Sequence, residues 1–563
     1  MVDLEYNIEG FRPMVHAPLV QPLKGGNKRK LPYLEEAIYL DTETSRITNA
    51  DTNASVGWIY QWAFHFAGYD CIGRYPAELI EDLKRAVQPS LDACGGNAKC
   101  IVFVHNLSYD IQYLKQWLID EYGVDFGMLA VGQHKFITFS IGPFEFRCTW
   151  KLSNKSLDKW GKDLGIKHQK KKGLIDYTIV RYQDESLTMD DWLYMLYDVW
   201  ALRDCVKKQM KAYGDDLAHI PLTSTGYIRR DARNKYREDL AHNRHFFLKC
   251  RMDVDVYKAL IGAAAGGICH GNRIFEDVRV DVDSVYDGPP RSEKITRIKH
   301  VDYRSHYPST MRASDPMYGF PVGKFALYYQ WDPKRSLDFA TIDRITTRNC
   351  VLIEILVKDC KIKEGIYMPY LMHYKCFEGR CDDFGEAYWD EQRGHMCPGI
   401  DIVDNGRVLQ FSGACMLYLT EWDLKWLRKQ YDFEAIIKTV WVAPRGPIPQ
   451  FLADTVDDNF IGKTVLKDHV KELEDANAWE GDIIDAKVDL MKSKNGLNGI
   501  FGMCMTDPVR PEIKMDEEGM WYTEPKTDAL IKDKLDGYDE WRMSEEDDWC
   551  RLKDGEEAPE GAE

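Results

Sequence analysis

The 563-residue sequence has no apolar run long enough to span a bilayer. The longest, ALIGAAAGGIC (259–269), is 11 residues, against the roughly 20 a membrane helix needs. The amino terminus MVDLEYNIEGFRPM does not pair a basic stretch with an apolar one, so no secretory signal is expected, and a cytoplasmic protein without membrane partners is expected. Internal repeats and long low-complexity tracts are absent, which excludes collagen-like and wholly disordered chains. Cysteine is not scarce, but the 15 residues are scattered through a large, signal-free chain and read as reduced thiols. Positive charge is in short supply: 74 Lys and Arg against 91 Asp and Glu give −17, which argues at first against a polyanionic partner.

The distribution reverses that argument. Residues 511–563 hold 7 Lys and Arg against 19 Asp and Glu, so the tail carries −12 and the other 510 residues only −5. Basic clusters stand in that nearly neutral body: KGGNKRK (24–30), KHQKKK (167–172) and RRDARNKYR (229–237). Such patches can hold nucleic acid in a groove, although any single short run is as readily a solvated surface.

The chain is long enough for several domains. After a lead-in (1–35), residues 36–215 alternate strand-like runs (AIYLDTET, GWIYQWAFHFAGY, CIVFVHN) with helix-like ones (SYDIQYLKQWLIDEYG, MDDWLYMLYDVWALRDCVKKQMKAY). That pattern predicts an α/β domain around a mixed sheet. A basic linker region (216–297) precedes a second α/β region opening at 298–320. An insertion rich in Cys, Tyr and Trp follows (321–450), then a region (451–510) in which 463–498 is expected to be one charged helix. The tail 511–563 lacks a sustained apolar period and is expected to be irregular.

Four carboxylates in the first 200 residues sit in metal-site positions. YLDTET ends an apolar strand with Asp41 and Glu43, two apart and so on one face. VFVHNLSYD places Asn106, Tyr109 and Asp110 where a strand gives way to a helix, and YMLYD places Tyr194 and Asp198 on one helical face. Each motif alone could be a solvated strand end or an ordinary amphipathic face. Together they could hold two divalent cations, Mg²⁺ or Mn²⁺, for phosphodiester cleavage. The aromatics could stack the bases of a single strand, and Lys172 could neutralise the scissile phosphate.

DTET, HNLSYD and YMLYD resemble the three exonuclease motifs of family B DNA polymerases, and their spacing with KKKGLIDY is closest to the protein-primed polymerases of bacteriophages and linear plasmids. The resemblance implies an RNase H-like 3′→5′ proofreading domain with Asp41, Glu43, Asp110 and Asp198 as metal ligands. It implies Thr44, Asn106 and Tyr109 as single-strand contacts, Tyr194 and Lys172 as catalytic helpers, and Thr149 as a looser match to a strand contact. A phage-encoded protein would act in the host cytoplasm.

DYRSHYPS resembles the same family's polymerase motif A, which implies that Asp302 binds both metal ions, Ser305 touches the triphosphate and Tyr307 lies under the incoming sugar. KNGLNGIFG (494–502) resembles motif B on the fingers helix, with Lys494 and Asn498 in place, Gly499 for a usual Ser and Phe501 for a usual Tyr. A lysine aimed at phosphates fits phosphoryl-transfer chemistry. LYLTEWDLKWL (417–427) resembles the family too, and the long interval between the motifs suits an insertion that grips a terminal-protein primer. In AAAGGICHG, Gly266 and Gly267 match a Tyr-x-Gly-Gly linker whose tyrosine is Ala264 here. Motif C, which supplies a second palm aspartate, has no counterpart: residues 503–563 contain no Asp-x-Asp, and GYDEW and SEEDDW sit in polar text unfit for a buried hairpin. A thumb is not found either.

The expected protein is thus a DNA-directed DNA polymerase of the protein-primed type with a 3′→5′ exonuclease and a partial palm and fingers. It would be the amino-terminal part of a split or truncated enzyme, acting on single-stranded 3′ ends, primer–template DNA and dNTPs. A second polypeptide would carry motif C and the thumb, and the lone chain would polymerise poorly. The alternatives are a free-standing metal-dependent single-strand exonuclease and a non-catalytic terminal-protein or DNA-binding module. His373, Cys376, Cys381, His395 and Cys397 also allow a structural zinc ion, against which their irregular spacing weighs.

Overall fold

The computed structural model describes residues 10–23, 31–49, 54–132, 135–171, 173, 175–176, 178–239, 250–267, 303, 305–313, 318–378, 388–390, 395–397, 401–509, 513–515 and 521–536, with isolated positions 52, 243, 301 and 315. The protein is a mixed α/β chain in two compact units. One comprises 1–231, 457–503 and 510–526, and the other comprises 232–456, 504–509 and 527–563. Among the described residues no helix is long and apolar enough to cross a membrane.

The first unit opens with β1 (Ile38–Thr48), β2 (Ser55–Phe66), β3 (Tyr69–Gly73), α1 (Pro76–Ala93), β4 (Cys100–Val104), α2 (Leu107–Tyr122), β5 (Phe126–Ala130), β6 (Phe136–Ile141) and β7 (Phe144–Cys148). Short α3 (Thr149–Ser153) and α4 (Leu157–Leu164) lead to the long α5 (Met189–Tyr213), and α6 (Ser224–Glu238) follows. The seven strands form one sheet in the order β3-β2-β1-β4-β7-β6-β5. β1 runs antiparallel to β2 and parallel to β4, and β4 runs parallel to β7.

Both faces of this sheet are covered, so its central strands are apolar throughout rather than alternating with polar residues. Ile38, Leu40, Val102 and Val104 belong to a core with α1 and α2, through Leu83 and Leu114. The intervening Tyr39, Ile101 and Phe103 belong to a second core with α4 and α5, through Trp160, Met195 and Val199. This period of two fixes what happens where β1 turns polar. Thr42 and Thr44 continue the α2 side, while Asp41 and Glu43 continue the α5 side.

The second unit contains α7 (Val254–Ala263), α8 (His306–Met311), β8 (Phe320–Pro321), β9 (Ala326–Gln330), α9 (Phe339–Ile345), β10 (Asn349–Ile362), α10 (His373–Glu378), the two-stranded pair β11 (Tyr388–Asp390) and β12 (His395–Cys397), β13 (Asp401–Asp404), β14 (Arg407–Thr420), α11 (Glu421–Gln430) and β15 (Tyr431–Gly446). Its main sheet has six strands in the order β13-β14-β10-β15-β8, with β9 also paired to β15. Ile353, Ile355, Leu417 and Val440 form its larger core with Leu424 and Leu427 of α11, while Val256, Ala259 and Ala263 of α7 pack on Leu352 and Trp441.

The chain then runs through α12 (Gln450–Asp475) and α13 (Glu480–Cys504). The single helix expected over 463–498 is therefore two, broken at Asn477, whose φ of 48° is left-handed. Asparagine tolerates that conformation better than most side chains do. Val470 of α12 packs on Ala486 and Leu490 of α13.

The acidic segment after 510 adds to the first unit's core. It forms the hairpin β16 (Ile513–Met515) and β17 (Trp521–Thr523). Trp521 is buried against Phe126 and Phe136 with ring centroids 5.8 and 5.4 Å away, and the Lys115 ammonium lies 5.2 Å from its ring.

Candidate metal centre

Carboxylate oxygens of Asp41, Glu43 and Asp198 lie within 4.8 Å of one another, the one such acidic or metal-ligating group among the described residues. β1 delivers the first two from one face and α5 delivers the third. Asp110, in the first turn of α2, joins from the other side: the Thr42 hydroxyl donates to its Oδ1 at 2.5 Å. The centre thus forms where the parallel pairing of β1 with β4 ends, at Leu40 and Val104, just past the carboxyl end of β4, the end at which α/β sheets commonly bind ligands.

The electrostatics are lopsided. Burial, then Asp198 and Asp110, hold Asp41 well above the usual carboxylate range. Burial, then Asp198, pushes Glu43 up to about 8. Burial alone drives Asp110 up to about 7, with the Thr42 hydroxyl opposing. Burial raises Asp198 to about 6, with Lys170 and the Tyr194 hydroxyl opposing.

Lys170 Nζ lies 2.5 Å from Asp198 Oδ2 and 5.0 Å from the centroid of the buried Tyr194 ring. Burial works against the lysine's charge, but Asp198 and Asp41 outweigh it and raise its pKa. Asp198 Oδ1 is buried and takes no hydrogen bond from any described residue. Four crowded carboxylates and an unsatisfied oxygen suit hard divalent cations, and an all-oxygen donor set suits Mg²⁺ or Mn²⁺.

Around this centre the strand-contact candidates are the more accessible groups. Asn106 is exposed and left-handed (φ 72°) at the N-cap of α2. The hydroxyls of Thr44 and Tyr109 hydrogen-bond to each other, and the exposed Tyr109 ring lies 5.4 Å from that of Tyr113. Thr149, in contrast, is buried. Its hydroxyl lies 3.0 Å from His105 Nδ1 and donates to the Val104 carbonyl, so it supports the centre from behind.

Three residues at the centre have no place in the sequence reading. Lys170 stands two residues from the expected Lys172, which lies outside the described residues. Within three consecutive lysines no side-chain pattern selects one. Thr42 escapes notice because a threonine between two acids carries no signal of its own. His105 precedes Asn106; burial, then Lys170, pushes it down to about 4, so it is neutral at pH 7.

The polymerase-side candidates divide between the two units. In the second unit, Asp302 lies outside the described residues, Ser305 is left-handed (φ 47°) at the N-cap of α8, and Tyr307 is partly exposed. A Cβ at Gly267 would stand 2.8 Å from the Tyr307 hydroxyl, so the Gly-Gly segment and Tyr307 are neighbours. In the first unit, Lys494, Asn498 and Phe501 follow one another on one side of α13, the first two exposed. Gly499 has a local reason to lack a side chain: a Cβ there would stand 3.1 Å from Ile228 Cγ2.

GYDEW and SEEDDW lie outside the described residues, as does Cys381 of the zinc candidate. Of His395 and Cys397 only the strand β12 is described. His373 and Cys376 are buried in α10.

No protein-family model and no curated protein matches the sequence. Among solved structures the fold is similar to that of Phi29 DNA polymerase complexed with primer-template DNA, with a TM-score of 0.55 and 14% identity over 88% of this chain and 72% of that one. It is similar to the same polymerase complexed with single-stranded DNA, with a TM-score of 0.55 and 15% identity over 88% and 72%. At such identity the likeness is one of fold.

Proposed function

We propose that this chain is a DNA-processing enzyme of the protein-primed family B polymerase type whose first unit is a two-metal 3′→5′ exonuclease. The observation that carries the reading is the convergence of Asp41, Glu43 and Asp198 within 4.8 Å, with Asp110 tied in through Thr42. The strand order β3-β2-β1-β4-β7, with Asp41 directly after the parallel pairing of β1 with β4, supports an RNase H-like domain. The similarity in fold to a polymerase held with single-stranded DNA supports DNA as the substrate.

In this reading Asp41, Glu43, Asp110 and Asp198 hold two Mg²⁺ or Mn²⁺ ions. Bound there, the ions would activate a water and offset charge on the leaving oxygen. Lys170 keeps Asp198 ionised and, with Lys172 in the same basic run, balances the scissile phosphate. Tyr194 orients the attacking water, while Thr44, Asn106 and Tyr109 hold the terminal nucleotides. His105, neutral and half-buried, contributes shape rather than charge. For synthesis, Asp302 binds metal, Ser305 and Lys494 bind the triphosphate, Tyr307 lies under the sugar, and Asn498 and Phe501 flank the nascent pair. A terminal protein is the primer.

The test is a 5′-labelled single strand incubated with the purified chain and Mg²⁺. Stepwise shortening from the 3′ end that stops in Asp41→Ala supports the nuclease. Intact strands with the wild-type chain in both Mg²⁺ and Mn²⁺ would leave a DNA-binding module instead.

A further inference from the structure

A second polar site lies elsewhere on the first unit. α5 turns Asp198 towards Asp41 and Glu43; Trp200, two residues on, is about 200° further round the helix and faces different neighbours. Beside it opens a recess of about 520 Å³ lined by Arg12, Lys167, Arg203 and Lys207 with His65, and by one carboxylate, Glu36. In a chain of net charge −17, four cations around one cavity are a local reversal of sign.

The floor of the recess is built rather than incidental. Asp70 is 2% exposed and its Oδ1 lies 2.8 Å from His65 Nδ1 and 2.9 Å from Trp200 Nε1, while its Oδ2 accepts from the Arg12 backbone amide at 3.1 Å. The buried His65 is thereby fixed with Nε2 turned to Arg203, 3.5 Å from its guanidinium.

The remaining charges are partly committed. Lys207 pairs with Glu36 at 3.0 Å, and Arg203 with Asp204, which also takes His168 at 2.7 Å. Arg12 and Lys167 pair with no carboxylate among the described residues, although both line the cavity. Neither Asp70 nor Asp204 lines it.

We infer that this recess binds a phosphate-bearing small molecule. The cations supply charge-assisted hydrogen bonds to the phosphate, and the volume admits a nucleoside monophosphate. The inference is independent of the nuclease reading, since no residue of the metal centre lines the recess.

The test is binding to the full chain in EDTA, by calorimetry and by shift of the thermal midpoint, with inorganic phosphate, deoxyadenosine monophosphate and deoxyadenosine as probes. Both phosphate compounds should bind and compete, and the nucleoside should not. Affinity should fall about tenfold or more in Arg12→Gln/Lys167→Gln, which removes two charge-assisted contacts to the phosphate. It should be unchanged in Asp198→Asn. A monophosphate that binds more tightly than phosphate means that the nucleoside also occupies the recess; equal affinity means that the site takes free phosphate. Failure of both phosphate compounds to bind overturns the proposal. So does binding that survives the double substitution, provided the variant keeps the wild-type thermal midpoint without ligand. Exonuclease activity of that variant, expected to be retained, separates this failure from failure of the metal centre.

Discussion

Lys170 Nζ and Asp198 Oδ2 make the one ion pair, among the described residues, inside a nest of three buried carboxylates and the half-buried Asp41. Removing the lysine strips the centre of its fixed positive charge. Lys170→Gln is expected to lower kcat for single-strand hydrolysis about 100-fold, the scale for losing one fixed electrostatic contact at a reacting phosphate. Lys172→Gln serves as the comparison. A larger loss from Lys172 than from Lys170 in steady-state assays would reassign the phosphate-side role within the lysine run.

Asp41→Ala and Asp198→Ala are each expected to cost about 10³-fold or more in hydrolysis, because two-metal catalysis rests on the carboxylates that position the ions. Calorimetric Mn²⁺ titration should show fewer ions bound by the alanine variants. Thr42→Val, which frees Asp110 without removing it, should give a smaller loss of about tenfold, the worth of one hydrogen bond to a charged group.

Raised carboxylates make the apo protein pH-sensitive in a defined direction. Glu43, Asp110 and Asp198 lie near 8, 7 and 6 in the folded state, above their ordinary values near 4. Between those limits the folded state binds more protons than the unfolded one. The stability that this proton uptake contributes is full at the acid end and lost as pH rises to about 8, by up to about 1.4 kcal/mol per pH unit for each group. Denaturant unfolding in EDTA should therefore show stability falling from pH 5 to about pH 8. Mg²⁺ should reverse the fall by displacing the protons, and hydrolysis should rise over the same interval. A flat EDTA profile would contradict the assigned shifts.

Trp521→Ala should destabilise the first unit by about 3–5 kcal/mol, the usual effect of emptying a large aromatic site. A lowered thermal midpoint with unchanged hydrolysis by the folded fraction at low temperature would identify the hairpin as a support for the sheet rather than a part of the centre.

The centre was legible where chemistry and period coincide. Asp41 and Glu43 at spacing two, and Asp198 within the apolar stretch WLYMLYDVWAL of a helix, declare their faces from the sequence. The alternation of Ile38, Tyr39 and Leu40 between two cores then explains why Thr42 meets Asp110 while its neighbours meet Asp198. What could not be read was set by tertiary contacts. Lys170 differs from Lys171 and Lys172 only in where the backbone after α4 carries it. Asn477 breaks a helix whose charged text runs on without a Pro or Gly between Lys463 and Asn477. Trp521 stands in acidic surroundings with no apolar period, and its burial follows from a pocket of phenylalanines some four hundred residues earlier in the chain.

The first unit is written in three instalments, 1–231, 457–503 and 510–526, with another unit's chain between them. On the ribosome, its sheet can be laid down early, but Trp521 emerges almost three hundred residues after α6 is complete. Translation at about 5–20 residues per second leaves the Phe126 and Phe136 surface uncovered for tens of seconds. The unit that holds the carboxylate centre thus cannot complete its core until both segments that interrupt it have been synthesised.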